Sequence, residues 1–501
     1  APGVSWVGSQ GSSTQHNTQQ EFLVNTNSTT TNDQVPIWNI SAWSISSPEN
    51  NILPIYAGTN YGPGTLYKTI TTDERGHQTI TYKDLYGQLI LKKVQLTATA
   101  DNYTTGSLYT GWLCTFYVYD DHGNLRFVIT PNVVAQMVAA GSWAVSLAQA
   151  DELCYRYEYD QLGHTIIKKT PGTPTGASGE IWMVYDERNR LVMEQDGNMR
   201  SASVKKWQYI QYDNLDRPIA KGLITDLTYY NNLSYHVSNA ALSSNTTAGV
   251  SAWPIPANYS ANEVLAQSFY DNYSSIPTSL SQTIDATANG TGNTTAFTTS
   301  YNVTPTYAQP ITQSQMTQGM VTGTKAEVLG TNGAQYIPTV SFYDEKGRVI
   351  QTQSINYTTG KDIATTQYSW SGEVLSTLLS QNYSSTVNPQ THLLISKMNY
   401  DAVGRLLTIT KTINSNINGV ALTAPSTNPV TTVTFQYDEL GNLKNKVLGN
   451  NLDNLAYSYN VRGWLLNINQ GYINGSNNTN YFGMEVGYDK ITSVAPENSY
   501  S

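Results

Sequence analysis

Charge is scarce in this 501-residue chain: Asp, Glu, Lys and Arg make up 13% of it, about half the ~25% of an ordinary soluble domain. Cysteine is scarcer still, with only Cys114 and Cys154, which excludes a disulfide scaffold. Phenylalanine occurs 8 times against 36 tyrosines. No apolar run approaches the ~18 residues of a membrane span, so no membrane insertion is expected. The net charge of −9 argues against nucleic acid, which would require a basic stripe. Ser, Thr, Asn and Gln take the place of charge. A polar, uncharged, tyrosine-rich surface is commoner in extracellular β-proteins than in cytosolic enzymes. A secreted or cell-surface location is therefore expected.

Signatures of chemistry are missing as well. No Cys/His/Asp cluster has metal spacing, and no Asp-x-Asp-x-Asp-Gly calcium loop occurs. There is no Gly-x-Ser-x-Gly elbow, phosphate loop or dinucleotide fingerprint. No catalytic residue, cofactor or metal is assigned, and the chain reads as a non-enzyme. His77 and His164 directly follow turn glycines and His122 lies inside a turn, which predicts solvated turn histidines. Sequons such as Asn102-Tyr103-Thr104 arise in the number that composition alone supplies, so they are weak signs of glycosylation.

What is present is a repeat. Tyr-Asp, two free positions and Gly recur at Tyr119-Asp120…Gly123, Tyr159-Asp160…Gly163, Tyr343-Asp344…Gly347, Tyr400-Asp401…Gly404 and Tyr437-Asp438…Gly441. Chance would supply about 0.1 such matches. Degenerate copies put Asn189 after Asp186 and Asp216 after Asp213 at the Gly position, and Asn460 precedes Gly463. Asp73…Gly76 and Asp84…Gly87 lack the directly preceding tyrosine. Asn and Asp tolerate a left-handed backbone best after Gly, so that position is expected to need positive φ. An Asp that opens a turn and a Gly that ends it describe a β-hairpin tip. The repeated aspartates therefore read as turn caps rather than as general acids and bases.

Before each Asp the residues alternate with period two. Thr115, Tyr117 and Tyr119 stand five, three and one places before Asp120; Tyr155, Tyr157 and Tyr159 do so before Asp160. Val433, Phe435 and Tyr437 precede Asp438 in the same phase. That phase is the expected half-buried face, although Trp207 and Tyr209 before Asp213 fall in the opposite one. An aliphatic residue usually follows five places after the Asp, as in Leu125, Val349, Leu406 and Leu443. Stacked hairpins of this kind predict an all-β fold, a spiral of antiparallel hairpins forming a coiled sheet, shell or barrel wall. Cys114 and Cys154 both lie six places before their repeat's Asp and are expected at equivalent, facing positions. A disulfide and a pair of free, half-buried thiols both remain open.

Along the chain, 1–65 is a polar lead-in, 66–225 a first repeat block, and 226–335 a Ser/Thr/Asn-rich insert or run of diverged hairpins. A second block spans 336–470, and 471–501 is Asn-rich. One helix is predicted, from Asn132 to Leu153, behind Pro131. A chain that begins at Ala1 rather than Met reads as one whose leader has been removed or as an excerpt of something longer.

The units resemble the YD repeats of the Rhs family, shared with teneurins and with the shell-forming component of insecticidal toxin complexes. The stretches Thr110–Cys114, Tyr119–Ile129, Ile181–Asp186, Val340–Ile350 and Tyr459–Trp464 are similar to one bacterial branch of that family. The resemblance covers Leu66–Thr225 and Pro338–Gln470. It implies a hollow coiled β-sheet shell that often encloses a toxic C-terminal domain. In complete members a conserved core follows the repeats, in many with a self-cleaving aspartyl protease site; this sequence stops before any such core. The expected function is a secreted, non-enzymatic shell segment that encloses or presents a polypeptide cargo. The alternative is an extracellular structural or adhesive protein that self-associates or binds glycans.

Overall fold

The computed structural model of the chain describes residues 18–26, 33–41, 53–74, 76–97, 109–173, 179–242, 253–260, 262–286, 296–331, 333–422, 429–477 and 479–488. Strand accounts for 46% of the described residues and helix for 10%. Among the described residues, twenty-six strands belong to one antiparallel sheet that does not close on itself. A further hairpin, Pro36–Asn39 with Ile55–Asn60, stands apart from it. Two compact units divide the chain, Pro2–Val264 and Leu265–Ser501.

Each repeat is one hairpin with a fixed set of bonds. Asp120 donates its N–H to the Asn124 carbonyl, and Gly123 donates to the Asp120 carbonyl. The Asp120 Oδ1 accepts the N–H groups of His122 and Asn124. The same bonds recur at Asp160, Asp344, Asp401 and Asp438. The glycines at 123, 163, 347, 404 and 441 have φ between 75° and 87°, and Asn189 and Asp216 hold 64° and 62°. A β-branched side chain fits that region poorly, and at Gly404 a Cβ would also sit 3.2 Å from the Glu373 carboxylate. Gly404→Val is expected to cost more than about 1 kcal/mol, read as a lower urea midpoint; a wild-type midpoint would refute the positional requirement.

Just beyond the turn the register slips. Tyr119 pairs with Leu125, but Val118 pairs with Phe127. The same slip occurs at Tyr159, Tyr185, Tyr343, Tyr400 and Tyr437. Such a bulge lets two successive residues turn toward cover, and Ile90-Leu91, Ile166-Ile167 and Val192-Met193 are all buried.

The buried face differs from the expected one. In the Pro2–Val264 unit the most buried positions lie two, four and six places before the Asp: Val118, Phe116 and Cys114, then Val184 and Trp182, then Tyr209 and Trp207. Tyr117, Tyr119, Tyr157 and Tyr159 are only half-buried. The reason is cover. Trp38 from the separate hairpin and Val133, Val134 and Met137 from a helix pack into one cluster with Phe116 and Ile129. Leu233 and Ala240 of the helix Leu233–Leu242 complete a second cluster with Trp182, Trp207 and Tyr209. In the Leu265–Ser501 unit, Tyr273, Ile276 and Leu280 cluster with Val340 and Phe342. The stretches between repeats thus supply the covers, and two strands from 226–335, Asn262–Tyr270 and Val321–Glu327, join the sheet.

Two further expectations are corrected. The single helix is two, Pro131–Ala140 and Leu147–Leu153. Gly141, at φ 62°, ends the first, and Ser146 with Gln149 forms a capping box that starts the second. Cys114 and Cys154 are both free and buried. The return strand Leu125–Ile129 pairs with Trp112–Tyr119 on one side and Tyr155–Tyr159 on the other. Equivalent strands of successive hairpins therefore lie about 10 Å apart, too far for a disulfide.

Candidate functional site: clamped turns and a buried charge network

The tyrosine of each repeat has a job that phenylalanine lacks the atom for. Its hydroxyl donates to the carbonyl of the aliphatic residue that leaves the preceding turn. Tyr159 reaches Leu125 at 2.8 Å and Tyr212 reaches Leu191 at 2.9 Å. In the other unit Tyr343, Tyr368, Tyr400, Tyr437, Tyr459 and Tyr488 reach Val321, Val349, Val374, Leu406, Leu443 and Leu465 at 2.6–3.0 Å. Each of these hairpins is clamped to its predecessor; Tyr185 is an exception, its hydroxyl meeting Met183 Sδ of its own strand at 3.9 Å. Tyr437→Phe keeps the ring and loses only this bond, so a loss of about 1 kcal/mol is expected in urea unfolding.

A second clamp involves a position that the sequence reading did not single out. Four places after the Asp, Arg190, Arg217, Arg348 and Arg405 donate to the carboxylate of their own turn Asp at 2.6–2.8 Å. Three of these guanidiniums also lie over the tyrosine of the next hairpin, Arg190 on Tyr212, Arg348 on Tyr368 and Arg405 on Tyr437, at 4.7–5.0 Å. His164 takes the same place: its Nδ1 is 2.8 Å from Asp160 and its ring stacks on Tyr185. It is largely buried, unlike the solvated turn histidine expected, while His77 and His122 are exposed. Lining up the copies by their Asp would have exposed this position, since it holds Arg, His or Asn in all five full copies and after Asp186 and Asp213. The turn residues Asp120, Asp160, Asp344, Asp401 and Asp438 thus bond to their own loops, and each is placed at a separate hairpin tip.

The groups with unusual chemistry lie elsewhere, on the covered face. Arg126 pairs with Glu158, Arg156 with Glu180, and Lys169 with Asp151 at 2.5 Å. All six are buried. Trp182 Nε1 donates to Glu180 at 2.8 Å, and Arg200 lies over the Trp182 ring at 4.0 Å. Arg156 and Glu158 stand four and two places before Asp160, so the alternation Arg-Tyr-Glu-Tyr mimics a solvated face and misled the sequence reading. Glu158 and Arg126 floor a cleft of about 640 Å³ rimmed by the Asp120 and Asp160 turns.

Burial pushes the Glu158 carboxyl up to about 7, against the pull of Arg126 and Arg156. Burial likewise lowers Arg156. The folded chain therefore keeps the Glu158 proton at a pH where the unfolded chain has released it. Stability falls as pH rises from 4.5 to 7, by up to about 3 kcal/mol from this group alone. Glu158→Gln is expected to flatten the difference between urea midpoints at pH 5 and pH 8; an unchanged difference would show that Glu158 does not titrate in that window. Burial also drives Cys114 to about 12 and Cys154 to about 11, which leaves both thiols protonated and unreactive near neutrality. Elsewhere Asp226, capped by the N–H groups of Thr228 and Tyr229, pairs with the fully buried His236 at 3.1 Å. His236 holds Asp226 below the usual carboxylate range together with those two N–H groups, against burial as the largest opposing influence.

Among the described residues no group of three or more His, Cys, Asp or Glu could hold a metal ion, and no helix is long and apolar enough to cross a membrane. No family model matches the chain, and no curated protein matches it in sequence. Among solved structures it is similar to a chain of the Photorhabdus luminescens Tc holotoxin pore, at 11% identity over 80% of this chain and a TM-score of 0.30. The same figures hold for a chain of TcdB2-TccC3 without its hypervariable C-terminal region. The present chain spans 18% of the length of each.

Proposed function

We propose that the chain is a non-enzymatic wall segment of a secreted YD-repeat shell that encloses or presents a polypeptide cargo such as a toxin domain. The observation that carries this reading is the Tyr hydroxyl clamp, repeated from hairpin to hairpin. Each clamp adds one hairpin to the last and does nothing else, which is what an extended wall requires and what a catalytic site does not. The buried charge network supports the same view, because its members pair with one another beneath covering segments. The test is a protease-sensitive reporter polypeptide joined after Ser501. Its half-life under protease is expected to be long while the wall is folded and short after denaturation. Rapid digestion in the folded state would sink the enclosing role.

A second reading, an extracellular structural protein that self-associates, is favoured by the hairpin tips. Trp370, Val403, Leu440 and Val461 sit in successive turns of the Leu265–Ser501 unit and are all largely exposed. Neighbouring tips are about 10 Å apart, two strand spacings, so they form an apolar row. Sedimentation of a variant with Val403, Leu440 and Val461 changed to Asp separates the two: loss of self-association supports this reading, and a monomeric wild type removes it.

A further inference from the structure

Within the Pro2–Val264 unit, the strand end at Thr225 and Asp226, the helix Leu233–Leu242 and the segment 253–260 border a cleft of about 410 Å³. Four aromatic side chains line it: Tyr229, Tyr235, Trp253 and Tyr259. Tyr229 stacks on Tyr235 with ring centroids 3.7 Å apart, and Trp253 meets the Tyr235 ring at a steep angle and 6.0 Å. Trp253 and Tyr259 also pack against the cluster built on Trp207 and Leu233, which fixes their place. The Trp253 indole N–H has no hydrogen-bond partner, so packing rather than a polar tether sets that ring. Thr228, Asn258 and Ser260, which also line the cleft, are exposed.

A single charged residue stands among these rings. Asp226 is the only one in the lining, and it is 3% exposed. Its Oδ1 accepts the N–H groups of Thr228 and Tyr229 at 3.0 and 2.8 Å, and its Oδ2 lies 3.1 Å from His236 Nε2. That Nε2 is also 3.2 Å from the Tyr229 carbonyl, so it faces two acceptors, while Nδ1 is enclosed without a partner. The hydrogen-bond pattern assigns His236 the neutral tautomer with its proton on Nε2, since a second proton would be buried without an acceptor. The histidine therefore bonds Asp226 without cancelling its charge. Lys205, whose carbonyl accepts the Asp226 N–H, has its ammonium over the Tyr230 ring at 5.1 Å, outside the lining. Burial first and then the Asp226 charge push the Tyr259 hydroxyl up; burial, Tyr229 and then the same charge push up Tyr235. The field of Asp226 thus reaches two of the four rings.

Aromatic rings around a carboxylate attract a cation. The kind of cation follows from what the cleft withholds. Three donors of the protein already occupy the Asp226 carboxylate, so a ligand finds charge there but few free acceptors. A primary ammonium brings three N–H groups and a strongly held hydration shell, which such a site would leave without partners. A neutral sugar needs the same hydrogen bonds and gains nothing from the charge. A quaternary ammonium has no N–H to satisfy, and its methyl groups suit ring faces. We propose that this cleft binds a quaternary ammonium group of the choline type, held among Tyr229, Tyr235, Trp253 and Tyr259 beside Asp226. The site lies outside the turns and clamps that carry the wall reading, so either can fail without the other.

Calorimetric titration of the 501-residue chain with choline tests the site. Choline and tetramethylammonium are expected to bind, and the uncharged tert-butyl isostere of choline to bind about tenfold more weakly or worse. Asp226→Asn keeps an acceptor for the Thr228 and Tyr229 N–H groups and removes the charge, for an expected loss of about tenfold. Tyr229→Leu replaces a partly exposed ring by an apolar chain; with a wild-type urea midpoint it should weaken choline by about fivefold or more. Tyr259→Phe keeps the ring and should stay within about twofold of wild type, which separates ring recognition from hydroxyl recognition. Phosphatidylcholine vesicles, set against phosphatidylglycerol vesicles, distinguish the sources. Vesicle binding indicates a lipid headgroup and binding of free choline alone a soluble ligand, and either supports the site. No saturable binding, equal binding of the isostere, wild-type affinity in a folded Tyr229→Leu, or a tenfold loss in Tyr259→Phe would each overturn the proposal. So would binding of glucose in place of choline.

Discussion

Glu180→Ala is expected to lower the unfolding free energy by about 3–5 kcal/mol, because it leaves the Arg156 guanidinium buried without its paired carboxylate. Arg156 is 4% exposed and Glu180 fully buried, so water cannot replace the lost partner. The substitution also removes the acceptor of the Trp182 indole N–H. Desolvation already lowers Arg156, and of the carboxylates that raise it Glu158 also faces Arg126 while Asp151 pairs with Lys169. The paired replacement Arg156→Met with Glu180→Leu removes both charges and keeps volume, so it should recover most of the loss. Urea unfolding of the single and double variants decides the matter. A single variant within about 1 kcal/mol of wild type would mean that the pair is solvated in solution and contributes no more than a surface ion pair.

The fold class was legible because it rests on local signals. Asp at the start of a turn and Gly at its end specify the hairpin whatever surrounds it, and the substitutes Asn189 and Asp216 mark the positive φ that the position holds. The direction of burial was not legible. Tyr117 and Tyr157 look like core residues beside Arg156 and Glu158, yet the tyrosines are only half-buried and the charges are the covered group. Period-two reasoning finds two faces and cannot say which one a distant insert will cover. Phe435 and Tyr457, expected in the same phase, are also half-buried. The covers themselves, Leu233 and Ala240 or Tyr273 and Ile276, come from stretches that read as polar inserts. The +4 partner was within reach of the sequence, since Arg348, Arg405 and His164 recur at one spacing, but its ring contact with the next hairpin's tyrosine depends on tertiary pairing.

Trp207→Ala tests which face is the core, and a loss of about 3–5 kcal/mol is expected. Trp207 stands six places before Asp213, in the phase that looked like an exception to the tyrosine pattern. It is fully buried, 4.6 Å from the His236 ring and 6.3 Å from the Trp182 ring. The helix Leu233–Leu242 closes over it through Leu233 and Ala240, so the vacated volume is walled on both sides and collapses poorly. Its indole N–H has no hydrogen-bond partner; Trp207→Phe therefore loses volume without orphaning an acceptor and should cost far less. Tyr157→Ala is the contrasting substitution. Tyr157 lies three places before Asp160, on the face first expected to be core, and is half-buried. A change there should cost no more than about half as much as at Trp207. Urea midpoints for the three variants rank the two faces directly, and a larger loss at Tyr157 than at Trp207 would reverse the assignment of the core.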